Sequence, residues 1–405
     1  MMRSSRPRRR KNAEIRNSKQ IQMIQYPNPK WKCASLAALL AVLSLLGSGA
    51  WARKPDGALG LIRYPISTNP TLALPGGNFT LRLSSEKPVC DVRVELFTKG
   101  ATINIFDSAP GESFKPEDRR TFGCPFERLP FKHREMNWGW RPRVTVRDLA
   151  RIPIKLPDDL PEGFYGLRVT CSAGSDTSER AVRIFREWPA KYEICHITDV
   201  HIGKNDVPAA GRVFLKIAQR VSRQKPAFVL LTGDNVDSAM PDQFHLFLAV
   251  VDRFEAPTFV IPGNHDAFGR IREGKADALT FFGDTCYSFD FGEDHYLGMD
   301  GATPKLDKEQ MKFIEDDLAG VPPGRFKCVF NHAVAFQDAR KYPWLLSAFE
   351  KYDVNLYLCG HKDTGLIEVL TGTLSVRTEP AFRCGSYNTI AIENHQVKFA
   401  RPGLG

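Results

Sequence analysis

Residues 227–237 read AFVLLTGDNVD, five apolar residues followed by Thr-Gly and then two carboxylates, Asp234 and Asp237. A short unbroken apolar run bounded by turn residues predicts a strand buried on both faces. Its polar end lies where a strand leaves the sheet, which is where α/β folds build their sites. Four other runs have the same form. YEICHIT leads into Asp199-Val200-His201, PTFVIPG into Asn264-His265-Asp266, FKCVF into Asn331-His332, and VNLYLCG into His361-Lys362-Asp363.

Between these strands lie segments with helical spacing. Val213, Ile217 and Val221 recur in 209–223, Phe244, Phe247 and Val251 in 242–254, and Met311, Ile314 and Leu318 in 306–318. Strands alternating with amphipathic helices predict a layered α/β domain over 188–405. A lone His or Asp at a strand end is usually a cap or a satisfied core polar group. Five such ends in chain order are not explained that way.

Carboxylate, imidazole and amide together, with no thiolate beside them, suit Fe, Mn or Zn and argue against a structural zinc site. A carboxylate can bridge two ions ~4 Å apart, the arrangement that clamps a phosphoryl group for in-line attack. The glycines before Asp234, Asn264 and His361 allow the close turns that such a cluster needs.

The ordered series DVH, GDNVD, GNHD, NH and GHKD resembles the calcineurin-like metallophosphoesterase superfamily over residues 192 to about 400. That resemblance implies a two-sheet fold flanked by helices and a pair of divalent or mixed-valence ions. It implies Asp199 and His201 on the first ion, Asp234 as the bridge, and Asn264, His332 and His361 on the second. It makes His265 the group beside the leaving oxygen and Asp237 its supporting carboxylate; the purple acid phosphatase branch has a ligand Tyr at that slot. The superfamily usually ends in Gly-His-x-His, whose last His completes the first site. Here the position is Asp363, also a competent ligand, and the expectation is a more anionic first site. His196 reads as a packed strand residue, Asp266 as a residue that shapes its loop, and Arg270 and Lys362 as solvated cations.

The chain of 405 residues carries a net charge of +10. Residues 1–52 account for +9, so the remainder is close to neutral at +1 and advertises no nucleic-acid surface. Those 52 residues comprise a basic stretch, the apolar run ASLAALLAVLSLL at 34–46, and small residues ending AWA. This is the layout of a cleaved export signal, with an uncleaved membrane anchor as the alternative. Export would place the protein in the periplasm or outside the cell, with no stable membrane span after cleavage. Of nine cysteines, Cys33 leaves with the leader. Cys328 and Cys359 lie in apolar runs and read as buried thiols, while Cys90, Cys124, Cys171, Cys195, Cys286 and Cys384 are bridge candidates.

Residues 53–187 have a different texture, short alternating runs such as TLALPGGNFTLRLSS and FYGLRVTCSAG broken by Pro and Gly. This predicts an all-β sandwich, Ig-like or fibronectin-like, with an irregular stretch at 108–140. The whole reading is an exported phosphoesterase acting on a small phosphorylated substrate, a mono- or diester, through metal-activated water. The alternative is a catalytically impaired relative that binds a phosphorylated ligand or glycan. The oligomeric state is not legible.

Overall fold

The computed structural model describes residues 59–85, 87–117, 149–204, 207–267, 281–302, 308–332 and 343–403. The leader with Cys33, most of the 108–140 stretch with Cys124, and Arg270 lie outside the described residues.

Among the described residues of the N-terminal half, the regular elements are all strands. In chain order its strands are β1 (Ile62–Tyr64), β2 (Thr71–Ala73), β3 (Asn78–Ser84), β4 (Val89–Cys90), β5 (Arg93–Phe97), β6 (Thr102–Asp107), β7 (Ser113–Phe114), β8 (Pro116–Glu117), β9 (Leu149–Lys155), β10 (Gly163–Cys171) and β11 (Gly174–Ile184). One sheet has the order β1-β3-β9-β8 and a second β2-β11-β10-β5-β6. Alternation decides which side chains go inward: in β3, Phe79, Leu81 and Leu83 are buried while Asn78 and Thr80 are exposed. Leu81, Ile152 and Ile154 of the first sheet share one core with Val94, Leu167 and Val182 of the second. Each such side chain contributes about 1.5–3 kcal/mol on burial.

The second half begins with β12 (Lys191–Ile197), helix α1 (Val207–Gln224), β13 (Phe228–Thr232), α2 (Pro241–Val251) and β14 (Thr258–Ile261). It continues with β15 (Tyr287–Phe291), β16 (Asp294–Gly298), α3 (Lys308–Gly320), β17 (Lys327–Phe330), α4 (Pro343–Lys351) and β18 (Leu356–Cys359). It closes with β19 (Leu366–Leu370), β20 (Thr373–Arg377), α5 (Ala381–Cys384), β21 (Tyr387–Glu393) and β22 (Gln396–Gly403). A five-stranded sheet, β14-β13-β12-β21-β22, faces a six-stranded sheet, β15-β16-β17-β18-β20-β19.

The unbroken apolar strands are explained by burial on both faces. Along β13, Phe228 and Leu230 enter the core between the sheets, while Val229 and Leu231 enter the core beneath α1 and α2. In the other sheet, Cys328 and Phe330 face inward and Val329 packs with Ile314, Leu318 and Leu345 of α3 and α4. The layers are therefore helix, sheet, sheet, helix. The expected faces of α1 and α2 are met: Ile217, Val221, Phe244, Phe247 and Val251 are buried and Val213 partly so. In α3, Ile314 and Leu318 are buried but Met311 is only half-buried. Strands β12, β13 and β14 are parallel, as are β16, β17, β18 and β20, so their C-terminal ends gather the five polar turns.

Named contacts join the two halves. Arg180 donates to the carbonyls of Phe254 (2.6 Å) and Ala256 (3.2 Å), and Arg82 pairs with Asp284 at 2.6 Å. The Val260 N–H donates to the Thr68 carbonyl at 2.9 Å. Cys90, Cys171, Cys195, Cys286, Cys328 and Cys359 are free thiols, the last four buried.

Candidate metal centre

Parallel pairing sets the first strand ends level. Ile197 stands opposite Leu231, and beyond them the Asp199 N–H donates to the Gly233 carbonyl (3.0 Å) and the His201 N–H to the Asp234 carbonyl (2.8 Å). Residues 35 positions apart thereby share one turn region. Close approach needs the glycines: a Cβ on Gly263 would strike the Asp234 backbone N and Oδ1, and one on Gly233 would lie 2.7 Å from the His332 Cβ.

Two groups of potential ligand atoms result, His201 with Asp234 and His265, and Asp234 with His332 and His361; within each, the atoms lie within 4.8 Å of one another. Asp234 is common to both. Asp199 reaches both groups as well, with Oδ1 3.6 Å from His201 Nε2 and Oδ2 accepting the His361 N–H at 2.9 Å. Asn264 has a buried Oδ1 without a hydrogen-bond partner. Leaving such an acceptor empty costs about 1–3 kcal/mol, and a cation would satisfy it. A shared carboxylate, an orphaned amide oxygen and convergent imidazoles suit divalent metal.

The imidazoles are held by their far nitrogens. Asp237 Oδ1 accepts from His201 Nδ1 at 3.0 Å, which leaves Nε2 towards Asp234 at 3.6 Å. The Thr232 carbonyl accepts from His332 Nδ1 at 2.9 Å, and His332 Nε2 faces Asp234 Oδ2 at 3.2 Å. His265 donates through Nδ1 to the Asp237 carbonyl at 2.7 Å, with Nε2 4.0 Å from Asp234 Oδ2. Its side chain is 28% exposed, which keeps it within reach of a bound substrate.

Charge is concentrated here. Burial alone would lower the His201 pKa, but Asp199, Asp237 and Asp234 outweigh it and raise it to about 9. His332 is likewise raised to about 9, by Asp234 and Asp199 against burial. Burial pushes the Asp234 carboxyl up, yet His332 and His201 hold it well below the usual range. The cluster attracts protons onto its imidazoles, and a bound divalent ion would displace them. His361 is lowered, first by burial and then by the neighbouring His332.

Four of the brought-together residues have left-handed backbones: Asp199 (φ 53°), His201 (φ 48°), Asp234 (φ 50°) and His361 (φ 68°). Each costs roughly 1–3 kcal/mol for a residue with a Cβ. Asp266 helps hold the arrangement. It is fully buried and accepts from the N–H groups of Gly263 (2.7 Å), Val236 (2.9 Å) and Asn235 (3.2 Å), and from the Asn235 side chain (3.0 Å). Burial, with the Asp234 charge adding to it, pushes its carboxyl up to about 7.

Asp363 is not brought to the cluster. Its carboxylate is 65% exposed and pairs with Arg383 at 2.8 Å. The turn after His361 leads outward: Lys362, Asp363 and Thr364 are all exposed. A two-residue spacing places a second ligand only when the backbone stays extended between them, and here it bends away. Sequence reasoning also missed neighbours contributed from far along the chain. Phe382 of α5 packs edge-on to His201 with ring centroids 5.0 Å apart, and the Lys204 ammonium sits 4.1 Å above the Phe382 ring. No sequence signal links residues about 180 positions apart.

Residues 192–363 match the family model described as calcineurin-like phosphoesterase. A probable cyclic nucleotide phosphodiesterase of Fibrobacter succinogenes is 25% identical over 135 residues, 32% of this chain and 52% of that protein. The chain thus spans about half the length of that curated relative. A dimetal phosphatase from Danio rerio is 12% identical with a TM-score of 0.39, covering 50% of this chain and 93% of that one. GAP50, described as the anchor in the inner membrane complex of Plasmodium, is 12% identical with a TM-score of 0.38, covering 52% and 88%.

Proposed function

We propose that this chain, whose residues 192–363 match the family model described as calcineurin-like phosphoesterase, hydrolyses a phosphate mono- or diester with two divalent ions. The observation that carries the reading is that Asp234 belongs to two ligand groups at once. Asp199, His201 and Asp234 would hold one ion; Asp234, Asn264, His332 and His361 would hold the other. When bound, such ions supply Lewis acidity towards phosphoryl oxygens and a water acidified to near neutrality.

The chain's own groups do the rest. Asp237 orients His201 through Nδ1, and the Thr232 carbonyl does the same for His332. His265, with Nδ1 engaged by the Asp237 carbonyl, presents Nε2 on the cluster side and would protonate the leaving oxygen. The name of the curated relative makes a cyclic phosphodiester the first natural substrate to try. Residues 1–52 support export to the periplasm or beyond by their signal-like layout, 53–187 would form an Ig-like or fibronectin-like accessory sandwich, and 188–405 the catalytic domain.

The test is hydrolysis of bis(4-nitrophenyl) phosphate and 4-nitrophenyl phosphate by chelator-stripped protein, with Mn²⁺, Fe²⁺ or Zn²⁺ restored singly. Metal-dependent turnover is expected. The outward Asp363 favours a second reading, a phosphoester-binding protein with a weakened first site. Failure of every metal to restore turnover, with phosphate binding retained, would select it.

A further inference from the structure

Beneath the metal cluster lies a hydrogen-bonded chain of buried polar side chains that the proposed chemistry does not use. His196, on β12 three residues before Asp199, is fully buried, as is Thr232. His196 Nε2 is 2.8 Å from Thr232 Oγ1 and its Nδ1 is 2.6 Å from Thr378 Oγ1. Thr378 Oγ1 also accepts from Asn388 Nδ2 at 2.7 Å. Asn388 stands directly opposite His196 across the β12–β21 ladder.

These contacts carry a direction. An amide NH₂ can only donate, so the Thr378 hydroxyl accepts from Asn388. Its own proton then goes to His196 Nδ1, since a buried hydroxyl proton without an acceptor is costly. His196 is thereby the Nε2–H tautomer and donates to Thr232 Oγ1. The order is Asn388 to Thr378 to His196 to Thr232, and the carbonyl of that same Thr232 accepts the His332 Nδ1 proton. The Thr198 hydroxyl completes the floor, 2.8 Å from Asp199 Oδ2 and 3.4 Å from the Thr232 carbonyl.

We infer that His196 is a positioning residue for the second metal site: it pins Thr232, whose carbonyl sets the tautomer and ring orientation of His332. The inference rests on the proposed two-metal reading. Two features of the surroundings favour positioning over mere space filling. The neighbouring β12 side chains Ile194 and Ile197 meet their surroundings through apolar packing, whereas His196 meets polar partners at both ring nitrogens. Burial lowers its pKa to about 3, so it stays neutral, as one donor and one acceptor require.

The experiment measures Mn²⁺ and Co²⁺ binding to metal-stripped full-length protein by calorimetry, with the Co²⁺ absorption spectrum as a signature of ligand geometry. His196→Leu is compared with Thr378→Val, which removes only the far hydroxyl, and with His196→Gln, which keeps a donor and an acceptor. In both His196→Leu and Thr378→Val, one of the two sites should weaken about 10–100-fold, the usual effect of losing an outer hydrogen bond on a ligand. The other site should change little, the Co²⁺ spectrum should shift, and His196→Gln should recover part of the affinity. Equal weakening of both sites, or no change in variants that keep the wild-type melting behaviour, would overturn the positioning role. If His196→Leu does not fold, Thr378→Val decides. Wild-type protein that binds no metal would instead overturn the two-metal reading, and this inference with it.

Discussion

His265 joins the cluster through two separate contacts. Its backbone N–H donates to Asp234 Oδ1 at 2.8 Å and its ring is held by the Asp237 carbonyl, so protein groups alone place it, with its ring in the same ligand group as His201 and Asp234. His265→Asn should therefore lower kcat about 10²–10⁴-fold while metal content stays at the wild-type value. The loss should be greater for alkyl leaving groups than for 4-nitrophenol, which departs without a proton. Equal losses for both would remove His265 from the role of acid. Asp363 makes the opposite case. Its exposed pair with Arg383 contributes at most about 1 kcal/mol, and Asp363→Ala should change neither metal stoichiometry, read by elemental analysis, nor melting temperature by more than a degree or two. A fall of one metal per chain would mean that the 361–364 turn rearranges to bring the carboxylate in. At this scale residue types were legible in the sequence: Asp, His and Asn at strand ends announce ligand chemistry. The direction in which Asp363 points was not, because it depends on one bend.

Asp266 belongs to the element scale, since it ties the turn after β13 to the turn after β14. Asp266→Ala removes an acceptor used by three backbone N–H groups and leaves them buried. The expected cost is about 3–5 kcal/mol in urea denaturation at pH 8, above its raised pKa of about 7. Asp266→Asn, which keeps the shape but one acceptor oxygen fewer, should cost less. His295 ties α3 to the β15–β16 hairpin in a similar way, with Nδ1 2.9 Å from Asp290 Oδ1 and Nε2 2.7 Å from Asp317 Oδ2. Burial would lower its pKa, but the two carboxylates raise it to about 9. A histidine raised on folding lends stability that is complete below about pH 6.5 and is lost as the pH rises through about 9. Asp290 is 56% exposed, so screening reduces the effect to on the order of 2 kcal/mol. The urea midpoint should fall between pH 6.5 and 9.5 in the wild type and fall less in His295→Gln; equal falls would dissociate His295 from the effect. Helices α1 and α2 were readable from their spacing. The half-exposed Met311 was not, because spacing gives a face and not its neighbours.

Across the whole molecule, the two halves are joined by partly buried contacts with polar backbone. Arg180 satisfies two carbonyls of the α2–β14 connection, and at the seam Phe291 packs edge to face against Phe185 and Trp188, with centroids 5.3 and 5.1 Å apart. Calorimetry of the whole chain should accordingly give one unfolding transition. Arg180→Ala should lower it by about 1–3 kcal/mol or split it in two, the cost of two buried carbonyls losing their donor. Two well-separated transitions in the wild type would show that the seam does not couple the halves.

The layered class of the second half and the types of its candidate ligands were determined by the sequence alone. Apolar runs of strand length can only be buried on both faces, and polar groups at their ends can only emerge where the sheet stops. Tertiary structure decided which of those groups meet. The resemblance already implied Asp234 as the shared carboxylate; the orphaned oxygen of Asn264, the exclusion of Asp363 and the His196 chain depend on parallel registers and left-handed turns. Those features bring residues 30 to 190 positions apart within a few ångströms, and local pattern carries no information about distances of that kind.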